Sequence, residues 1–191
     1  MTLRLQTPRL TLRPISPSDL KPLHGIFNRP EVRRYLWDGE PAHLSITAEC
    51  LERSARDFAR GGLGIFGVRR KGHPALVGFC GFRRSGSGET EILYGILPEW
   101  WNRGFASEAA SACLNLAFRE AGVPRVVAGV DAPNAASIRV LLKLGMKPAH
   151  ERAPASTGVL YYALSREEFE RQPNGVSRSG SPASRPRPAR R

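Results

Sequence analysis

The chain has 191 residues, a hydrophobic fraction of 41% and a formal net charge of +12. This length suits one globular domain with a real core, and the hydrophobic fraction argues against a disordered chain. No apolar run approaches the roughly 20 residues that a membrane span needs, so we expect a soluble, cytoplasmic protein without a membrane partner.

The charge is unevenly distributed along the chain. Residues 173–191 contain five arginines and no acid among Pro, Ser and Gly, which leaves +7 for residues 1–172. Such a composition buries almost nothing, so we expect a folded domain over 1–172 and a disordered basic tail over 173–191. The tail is expected to make weak nucleic-acid contacts at most, and a solvated tail without a specific role is the simpler interpretation.

The first third of the chain predicts one strand followed by helices. Residues 9–13 alternate and end at Pro14, which predicts a strand. Ser16-Pro17-Ser18-Asp19 is a helix start, with Ser at the cap and Pro at the first helical position. Pro30 opens a short helix, and a longer one is expected over residues 45–60. The predicted buried side of that longer helix consists of Cys50, Leu51, Ala55, Phe58 and Ala59.

The middle of the chain predicts an antiparallel meander. Residues 64–69, 75–82 and 90–97 are strand-like runs, and the turns between them are too short for a parallel crossover. Strands and helices then alternate. We expect a helix over about 104–121, a strand over 125–130, a helix from Asn134 to Leu144, and final strands near 147–152 and 159–165.

Cys and His residues are too scattered to predict a disulfide framework or a metal site. The three Cys lie far apart in apolar surroundings, and the four His lack the i, i+4 spacing of a helical metal site. We therefore expect no metal and a reducing compartment.

The segment Trp101–Ala110 stands out because a strand, a tight turn and a helix follow each other there. The first turn of a helix presents unpaired N–H groups and partial positive charge, which makes it an anion site. Gly104 lets the backbone approach a ligand closely. We hypothesise that this turn holds the pyrophosphate of a cofactor.

Two segments separated by one strand carry a family resemblance. EILYGILPEWWNRGFASE (91–108) and NAASIRVLLKLGM (134–146) together resemble the GNAT acyl-CoA-dependent N-acetyltransferases. In particular they resemble the RimJ/RimL-like branch, whose founding members acetylate N-termini of ribosomal proteins. The resemblance covers nearly all of residues 7–171. It implies an α/β fold with a mixed, mostly antiparallel sheet, helices on both faces, and a splayed pair of parallel strands at 90–97 and 125–130.

The resemblance implies a set of residues that bind acetyl-CoA, the co-substrate. The turn amides hold its pyrophosphate, the strand backbone pairs with pantetheine in the gap, and one Asn contacts the pantetheine arm. In this chain these are Arg103, Gly104, Phe105, Ala106 and Ser107; Ile96 and Leu97; and Asn134. Arg139 and Lys143 share one helix face and are either further phosphate contacts or a solvated cationic face.

The chemistry is attack of a neutral amine on a thioester, so a proton acceptor and a donor to the departing thiolate are needed. The resemblance makes Glu91 the best base. It makes Ser137 a candidate thiolate donor, and a local hydrogen bond of its hydroxyl to the helix terminus is the alternative. A solvated role for Glu91 stays open, as do Glu151 and a water chain. Many family members place a Tyr acid seven residues after the Asn, but Leu141 stands there. Tyr35 and Trp37 come from the region that lines the acceptor site.

We therefore expect an N-acetyltransferase that transfers acetyl directly to a primary amine in a ternary complex. A protein N-terminal amine is the first choice of acceptor, and a small amine such as an antibiotic or polyamine is the second. A non-catalytic acyl-CoA-binding module is a third interpretation. Either a monomer or a homodimer is compatible with the sequence.

Overall fold

A computed structural model describes residues 3–36, 39–60, 63–85, 88–149 and 158–172. These residues form one eight-stranded sheet in the order β1-β2-β3-β4-β5-β6-β8-β7. The strands are β1 (Leu5–Gln6), β2 (Leu10–Pro14), β3 (Ile65–Arg70), β4 (Gly78–Arg84), β5 (Thr90–Ile96), β6 (Arg125–Asp131), β7 (Lys147–Pro148) and β8 (Val159–Ser165).

Helices connect the strands. They are α1 (Leu20–Phe27), α2 (Pro30–Arg33), α3 (Leu44–Ala59), α4 (Phe105–Asn115), α5 (Ala135–Lys143) and α6 (Arg166–Arg171). A 3-10 turn precedes α1 at Pro17–Asp19, another follows β5 at Pro98–Trp100, and a π-helical turn at Leu116–Glu120 continues α4. Within the described ranges, no helix is both long and apolar enough to span a bilayer.

The sheet is mixed. Every neighbouring pair is antiparallel except β5 and β6, which run parallel. The expected fold class is therefore confirmed, including the meander of β3, β4 and β5 and the parallel pair that follows it.

Each face of the sheet carries a hydrophobic core. On one face, α4, α5 and α6 bury Cys113, Leu141 and Phe169 against Phe66 and Val126 of the strands. On the other face, α1, α2 and α3 pack against the strands in one smaller cluster. Its members include Leu23, Phe27, Val32, Leu51, Ile65 and Phe79. Since both faces are covered, a ligand can reach the middle of the sheet only where neighbouring strands separate.

Local sequence signals explain the helix starts. Ser16 and Asp19 form a capping box before α1, and Ser165 and Glu168 form another before α6. At Ser165 the Ser hydroxyl and the Glu168 carboxylate each accept a hydrogen bond from a backbone N–H of the first turn. At Ser16 the Asp19 carboxylate accepts hydrogen bonds from the Ser16 amide and from the Ser16 hydroxyl. Pro30 occupies the first turn of α2, as the sequence predicts.

The buried side of α3 differs from the prediction. Ala55 and Ala59 are exposed, whereas Thr47, Leu51 and Ser54 are buried. Ser54 is buried because its hydroxyl accepts a hydrogen bond from the Ile65 amide at 2.8 Å, which ties α3 to the start of β3. A buried, bonded hydroxyl is invisible to an argument from hydrophobic spacing.

Three strands also differ from expectation. The short β1 was not predicted, since two residues carry no detectable alternation. β4 begins at Gly78 rather than at Ala75, and β7 covers two residues only. The predicted tail, residues 173–191, lies outside the described residues.

Candidate functional site

The parallel strands β5 and β6 separate after two rungs. They pair only at Thr90–Val126 and Glu91–Val127. Beyond that point each strand keeps its outer partner, since β4 pairs with all of β5 and β8 with all of β6. The inner edges therefore diverge into a V-shaped gap whose apex lies at Glu91.

A cleft of about 1020 Å³ passes through this gap and is lined by residues from both faces of the sheet. On the α2 side it is lined by Arg34 and Tyr35, and in the gap by residues 91–96 of β5. On the α4 side it is lined by residues 104–107 and by the start of α5. One continuous cavity thus connects the predicted acceptor region with the predicted cofactor turn.

The turn before α4 is shaped for an anion. Asn102 and Gly104 have positive φ angles of 57° and 75°, and Gly104 is the N-cap of α4. The first bond along the helix is donated by Glu108 to the Gly104 carbonyl, so the amides of residues 104–107 have no partner within the helix. These four residues line the cleft. Their N–H groups and the helix dipole suit a phosphate group.

Contacts between Arg9, near the start of the chain, and Glu108, in the first turn of α4, hold this turn in place. The Glu108 carboxylate accepts hydrogen bonds from the Thr7 hydroxyl at 2.6 Å and from the Arg9 amide at 3.0 Å. It also pairs with the Arg9 guanidinium at 2.6 Å, and that guanidinium donates to the Arg103 carbonyl at 2.8 Å. Burial alone would raise the pKa of Glu108, but the bonds from Thr7 and Arg9 outweigh it and lower the pKa.

Ile96 and Leu97, at the end of β5, differ in the direction of their backbone N–H and C=O groups. The Leu97 amide donates to Val77 at 2.9 Å, so that N–H is engaged within the sheet. Since successive residues of a strand direct their backbone groups to opposite edges, Ile96 faces the gap. The Ile96 carbonyl accepts a hydrogen bond from the Trp101 indole, and Ile96 lines the cleft. Of the two residues predicted to pair with pantetheine, only Ile96 therefore turns its backbone toward the gap.

Glu91 lies at the apex of the gap. Its side chain is 13% exposed, and its Oε2 accepts a hydrogen bond from Arg83 Nε at 2.8 Å. The other oxygen, Oε1, is directed at Gly129 of β6, where a Cβ would lie 3.4 Å away. A largely buried carboxylate thus presents one oxygen to the cleft beside a residue without a side chain.

The start of α5 closes the other side of the gap. The Asn134 side chain accepts a hydrogen bond from the Ser137 amide at 3.1 Å, which caps the helix. The Tyr94 hydroxyl of β5 donates to the Ser137 carbonyl at 3.2 Å and ties the strand to the helix. Burial raises the pKa of Tyr94 well above its ordinary value, so this hydroxyl stays protonated. Asn134 and Ser137 both line the cleft.

The acceptor region is partly described. Tyr35 is half-buried and lines the cleft, with the Arg34 guanidinium 5.5 Å from the centre of its ring. Trp37 lies outside the described residues, as does Glu151, the alternative base. Arg139 and Lys143 of α5 are exposed and line the cleft near its cofactor end.

Sequence reasoning missed Arg83, Tyr94, Gly129 and the role of Arg9. The signal for Arg83 was off by one position, because a turn over residues 85–88 places residue 83 opposite residue 90, whereas Arg83 pairs with Glu91. The Arg9–Glu108 pair joins positions 99 apart in sequence, and no local pattern predicts it. Within the described residues, no group of three or more His, Cys, Asp or Glu is placed to hold a metal ion.

Comparison with known proteins decides the family. The model of the acetyltransferase (GNAT) domain matches residues 9–147, which is more than half of the chain. The chain belongs to the GNAT acetyltransferase family. The predicted enzyme class is therefore confirmed.

Individual GNAT relatives agree with this assignment. An uncharacterized N-acetyltransferase of Bacillus subtilis, YoaA, is 32% identical over 75% of this chain and 82% of its own length. A GNAT-family acetyltransferase structure from Bacillus anthracis superimposes with a TM-score of 0.70 at 26% identity, over 86% of this chain and 99% of its own. A structure of RimL, described as a ribosomal L7/L12 α-N-protein acetyltransferase in complex with coenzyme A, shares the fold with a TM-score of 0.69 at 18% identity. That likeness covers 85% of this chain and 98% of RimL.

Proposed function

We propose that this GNAT protein transfers the acetyl group of acetyl-CoA to a protein N-terminal amine, as in the RimJ/RimL-like branch. The observation that carries the proposal is the single cleft through the splayed strands, which joins the α4 turn on one face to Glu91 and Tyr35 on the other. Such a cleft lets the cofactor and the acceptor approach from opposite faces and meet at the gap.

The cofactor would lie along the α4 side of this cleft. The amides of residues 104–107 would bind the pyrophosphate, with Arg103 beside them. Pantetheine amides would pair with backbone groups of β5 at Ile96, replacing the rungs that β6 no longer supplies. Asn134 would contact the pantetheine arm through its amide nitrogen, because its oxygen already caps α5.

The reaction would be direct attack of the amine nitrogen on the thioester carbonyl. Glu91 Oε1 would take the proton lost by the amine, directly or through one water molecule. The Ser137 hydroxyl would donate to the departing thiolate. Cys50 also lines the cleft, but burial raises the pKa of its thiol to about 11, so it is a poor nucleophile for an acyl-enzyme route.

The charges of the acceptor side support a peptide over a polycation. Among the described residues, the cleft there is lined by two acids, Glu31 and Glu91, and by two bases, Arg34 and Arg83. A polyamine or an aminoglycoside would gain from an excess of acids, which these residues do not provide. RimL, the structural relative named above, is described as acting on a protein α-amine.

The proposal is tested by incubating the protein with acetyl-CoA and a set of peptides or small amines, and following free thiol. We expect thiol release with peptides that have a free N-terminus. Glu91→Gln should lower kcat by a factor of about 10² or more, whereas the control Glu89→Gln, beside the exposed turn, should not. If only the small amines are acetylated, the acceptor is a small amine and not a protein N-terminus. Tight acetyl-CoA binding without turnover of any amine in the set would favour a non-catalytic acyl-CoA-binding module.

A further inference from the structure

A second, smaller cavity adjoins the acceptor side of the cleft, between α3 and the sheet. Its volume is about 210 Å³, against about 1020 Å³ for the cleft. Cys50, Arg83 and Leu93 line both cavities, so the two lie side by side at these residues. We call the smaller cavity the side pocket. Its wall is one stripe of α3 at helical spacing, which consists of Ile46, Glu49, Cys50, Arg53, Ser54 and Asp57.

The floor of the side pocket is apolar. Ile65 of β3 and Phe82 of β4 are buried, and Leu93 of β5 is half-buried. The buried Ser54 hydroxyl accepts from the Ile65 amide at 2.8 Å and donates to the Ile65 carbonyl at 3.4 Å. Burial raises the pKa of the Cys50 thiol to about 11, so the thiol stays neutral and behaves as a small apolar group. The floor therefore offers a ligand apolar contacts rather than free hydrogen-bonding groups.

The charged residues that line the side pocket balance one another. Glu49 and Arg53 form an ion pair at 2.8 Å, one turn apart on α3, and both are exposed. Arg83 pairs with Glu91 at 2.8 Å, and Asp57 is half-buried. With two acids and two bases among the described residues of the lining, a charged ligand gains no net attraction and loses hydration on entry.

The side pocket begins beside the proposed base. Arg83 lies directly opposite Glu91 in the β4–β5 ladder, and Leu93 is the next residue of β5 on the same face. Two residues along a strand span roughly 6.8 Å, so an amine near Glu91 lies about one side-chain length from the side pocket. In a peptide, the side chain nearest to the α-amine is that of the first residue. The first side chain is therefore the part of a peptide acceptor that can enter the side pocket.

The volume of the side pocket suits one large apolar side chain. A cavity of about 150 Å³ lined by Leu, Ile and Phe accommodates benzene. The volume of about 210 Å³ is therefore sufficient for the side chain of Leu, Met or Phe. A first residue such as Gly, Ala or Ser would leave most of this volume without contacts to the floor.

We propose that the side pocket binds the first side chain of the acceptor, and that it selects proteins whose N-terminal residue is large and apolar, such as Leu, Met or Phe. The inference rests on the proposed function, in which a protein N-terminal amine reaches Glu91. It adds a specificity site under α3, beside the cleft between β5 and β6, with Cys50 at the border of the two cavities.

The test uses the full-length protein and lysine-free peptides of one sequence that differ only in their first residue. Leu, Met and Phe are compared with Gly, Ala, Ser and Asp at that position. The kcat/KM with acetyl-CoA measures the specificity of the reaction. Calorimetric binding of the same peptides to the protein saturated with CoA, which carries no acetyl group, measures the specificity of binding. We expect the Leu, Met and Phe peptides to exceed the Ala and Ser peptides at least about tenfold in both.

Two substitutions of Cys50 change the volume of the side pocket in opposite directions. Cys50→Leu fills it, so the ratio of kcat/KM for the Leu peptide to that for the Ala peptide should fall at least about tenfold. Cys50→Ala enlarges it, so a peptide that begins with Trp should gain several-fold relative to the Leu peptide. Ala55→Leu is the matched control, because it adds the same side chain to the exposed side of α3 and should keep the ratios of the wild type.

These ratios compare two peptides in one protein sample, so partial loss of folding does not imitate the expected result, and thermal melts show which variants are folded. Acetylation of every peptide at a similar kcat/KM would overturn the side pocket and keep the proposed function. An apolar preference that persists in Cys50→Leu would overturn the placement of the first side chain in this pocket. Peptides that bind with the apolar preference but are not acetylated would keep the side pocket and overturn the proposed function. Neither binding nor acetylation of any peptide would overturn both.

Discussion

At the scale of single residues, Glu108 binds the start of the chain to the first turn of α4. Its carboxylate accepts bonds from Thr7 and from both the amide and the guanidinium of Arg9. The acid also lies where the helix dipole favours negative charge. These contacts hold Arg103 and the anion-binding turn in place without occupying the amides of that turn.

Replacing Glu108 with Gln should therefore destabilise the protein in a pH-dependent way. The pKa of Glu108 is lowered on folding, so its contribution is complete above the unfolded pKa of about 4.3 and is lost as pH falls through the lower folded value. We expect Glu108→Gln to cost about 1–2 kcal/mol of unfolding free energy at pH 7 and clearly less at about pH 3. Denaturant titrations at both pH values measure this difference.

The control for Glu108 is Glu167→Gln, which removes an exposed i, i+4 pair with Arg171 in α6. Such a pair is worth about 0.5 kcal/mol or less. An equal cost for Glu108→Gln at both pH values would contradict the pH dependence.

Tyr94 offers a second test at the same scale. Its hydroxyl ties β5 to the start of α5 across the gap. We expect Tyr94→Phe to cost about 1 kcal/mol in stability and to weaken acetyl-CoA binding several-fold, because the width of the gap is no longer fixed. Calorimetric binding and a denaturant titration measure the two effects separately. Unchanged affinity would mean that packing alone sets the position of α5.

At the scale of elements, the strand–turn–helix unit of β5 and α4 is the proposed binding site for acetyl-CoA. Its turn requires a positive φ at Gly104, and a Cβ there would meet nothing closer than 3.5 Å. The cost of a side chain at this position is therefore conformational rather than steric. Gly122, which follows the π-helical turn, has a similar φ of 69° and a Cβ contact of 3.4 Å, but lies away from the cleft.

Gly104 and Gly122 have similar backbone conformations, so Gly122 serves as the control for Gly104. We expect Gly104→Ala and Gly122→Ala each to cost about 1–2 kcal/mol in stability, since both place a side chain in the left-handed region. Only Gly104→Ala should also weaken acetyl-CoA binding, because it shifts the amides that we propose bind the pyrophosphate. Binding calorimetry on both variants measures this. Equal affinities would argue against the turn as the pyrophosphate site.

Elements were predictable from sequence where a local signal existed. The meander, the parallel pair and the starts of α1, α5 and α6 follow from turns, caps and alternation. The buried side of α3 was wrong at Ala55 and Ala59, because the burial of Ser54 depends on a hydrogen bond to Ile65. The contacts of Arg9 with Glu108 and of Tyr94 with Ser137 join distant segments, so only the folded chain brings them together.

At the scale of the whole molecule, the two sides of the cleft differ in their chemistry. The α4 side presents helix amides and cations, and the α2 side presents Tyr35 with a balanced set of charges. Gly129 lies where the two meet, with Glu91 and Tyr161 both about 3.4 Å from any added Cβ.

A side chain at Gly129 should therefore separate the two binding events. We expect Gly129→Val to raise the acceptor KM or lower kcat at least tenfold while the dissociation constant of acetyl-CoA changes by less than about twofold. Steady-state kinetics and calorimetry on the same sample measure both. A parallel loss of cofactor binding would place the cofactor across Gly129 rather than along β5.

Because β5 and β6 pair at two positions only, the hydrogen-bonded sheet is almost interrupted between them, and we call this interruption the seam. Its backbone hydrogen bonds divide it into a five-stranded part and a three-stranded part joined at Thr90 and Glu91 alone. A cofactor whose amides bridge the seam would act as a missing strand and protect the amides of both edges from hydrogen exchange. At a concentration of 100 times its dissociation constant it would add about 2.7 kcal/mol to the unfolding free energy. In the cell, the supply of cofactor would then govern how long the enzyme stays folded as well as how fast it works.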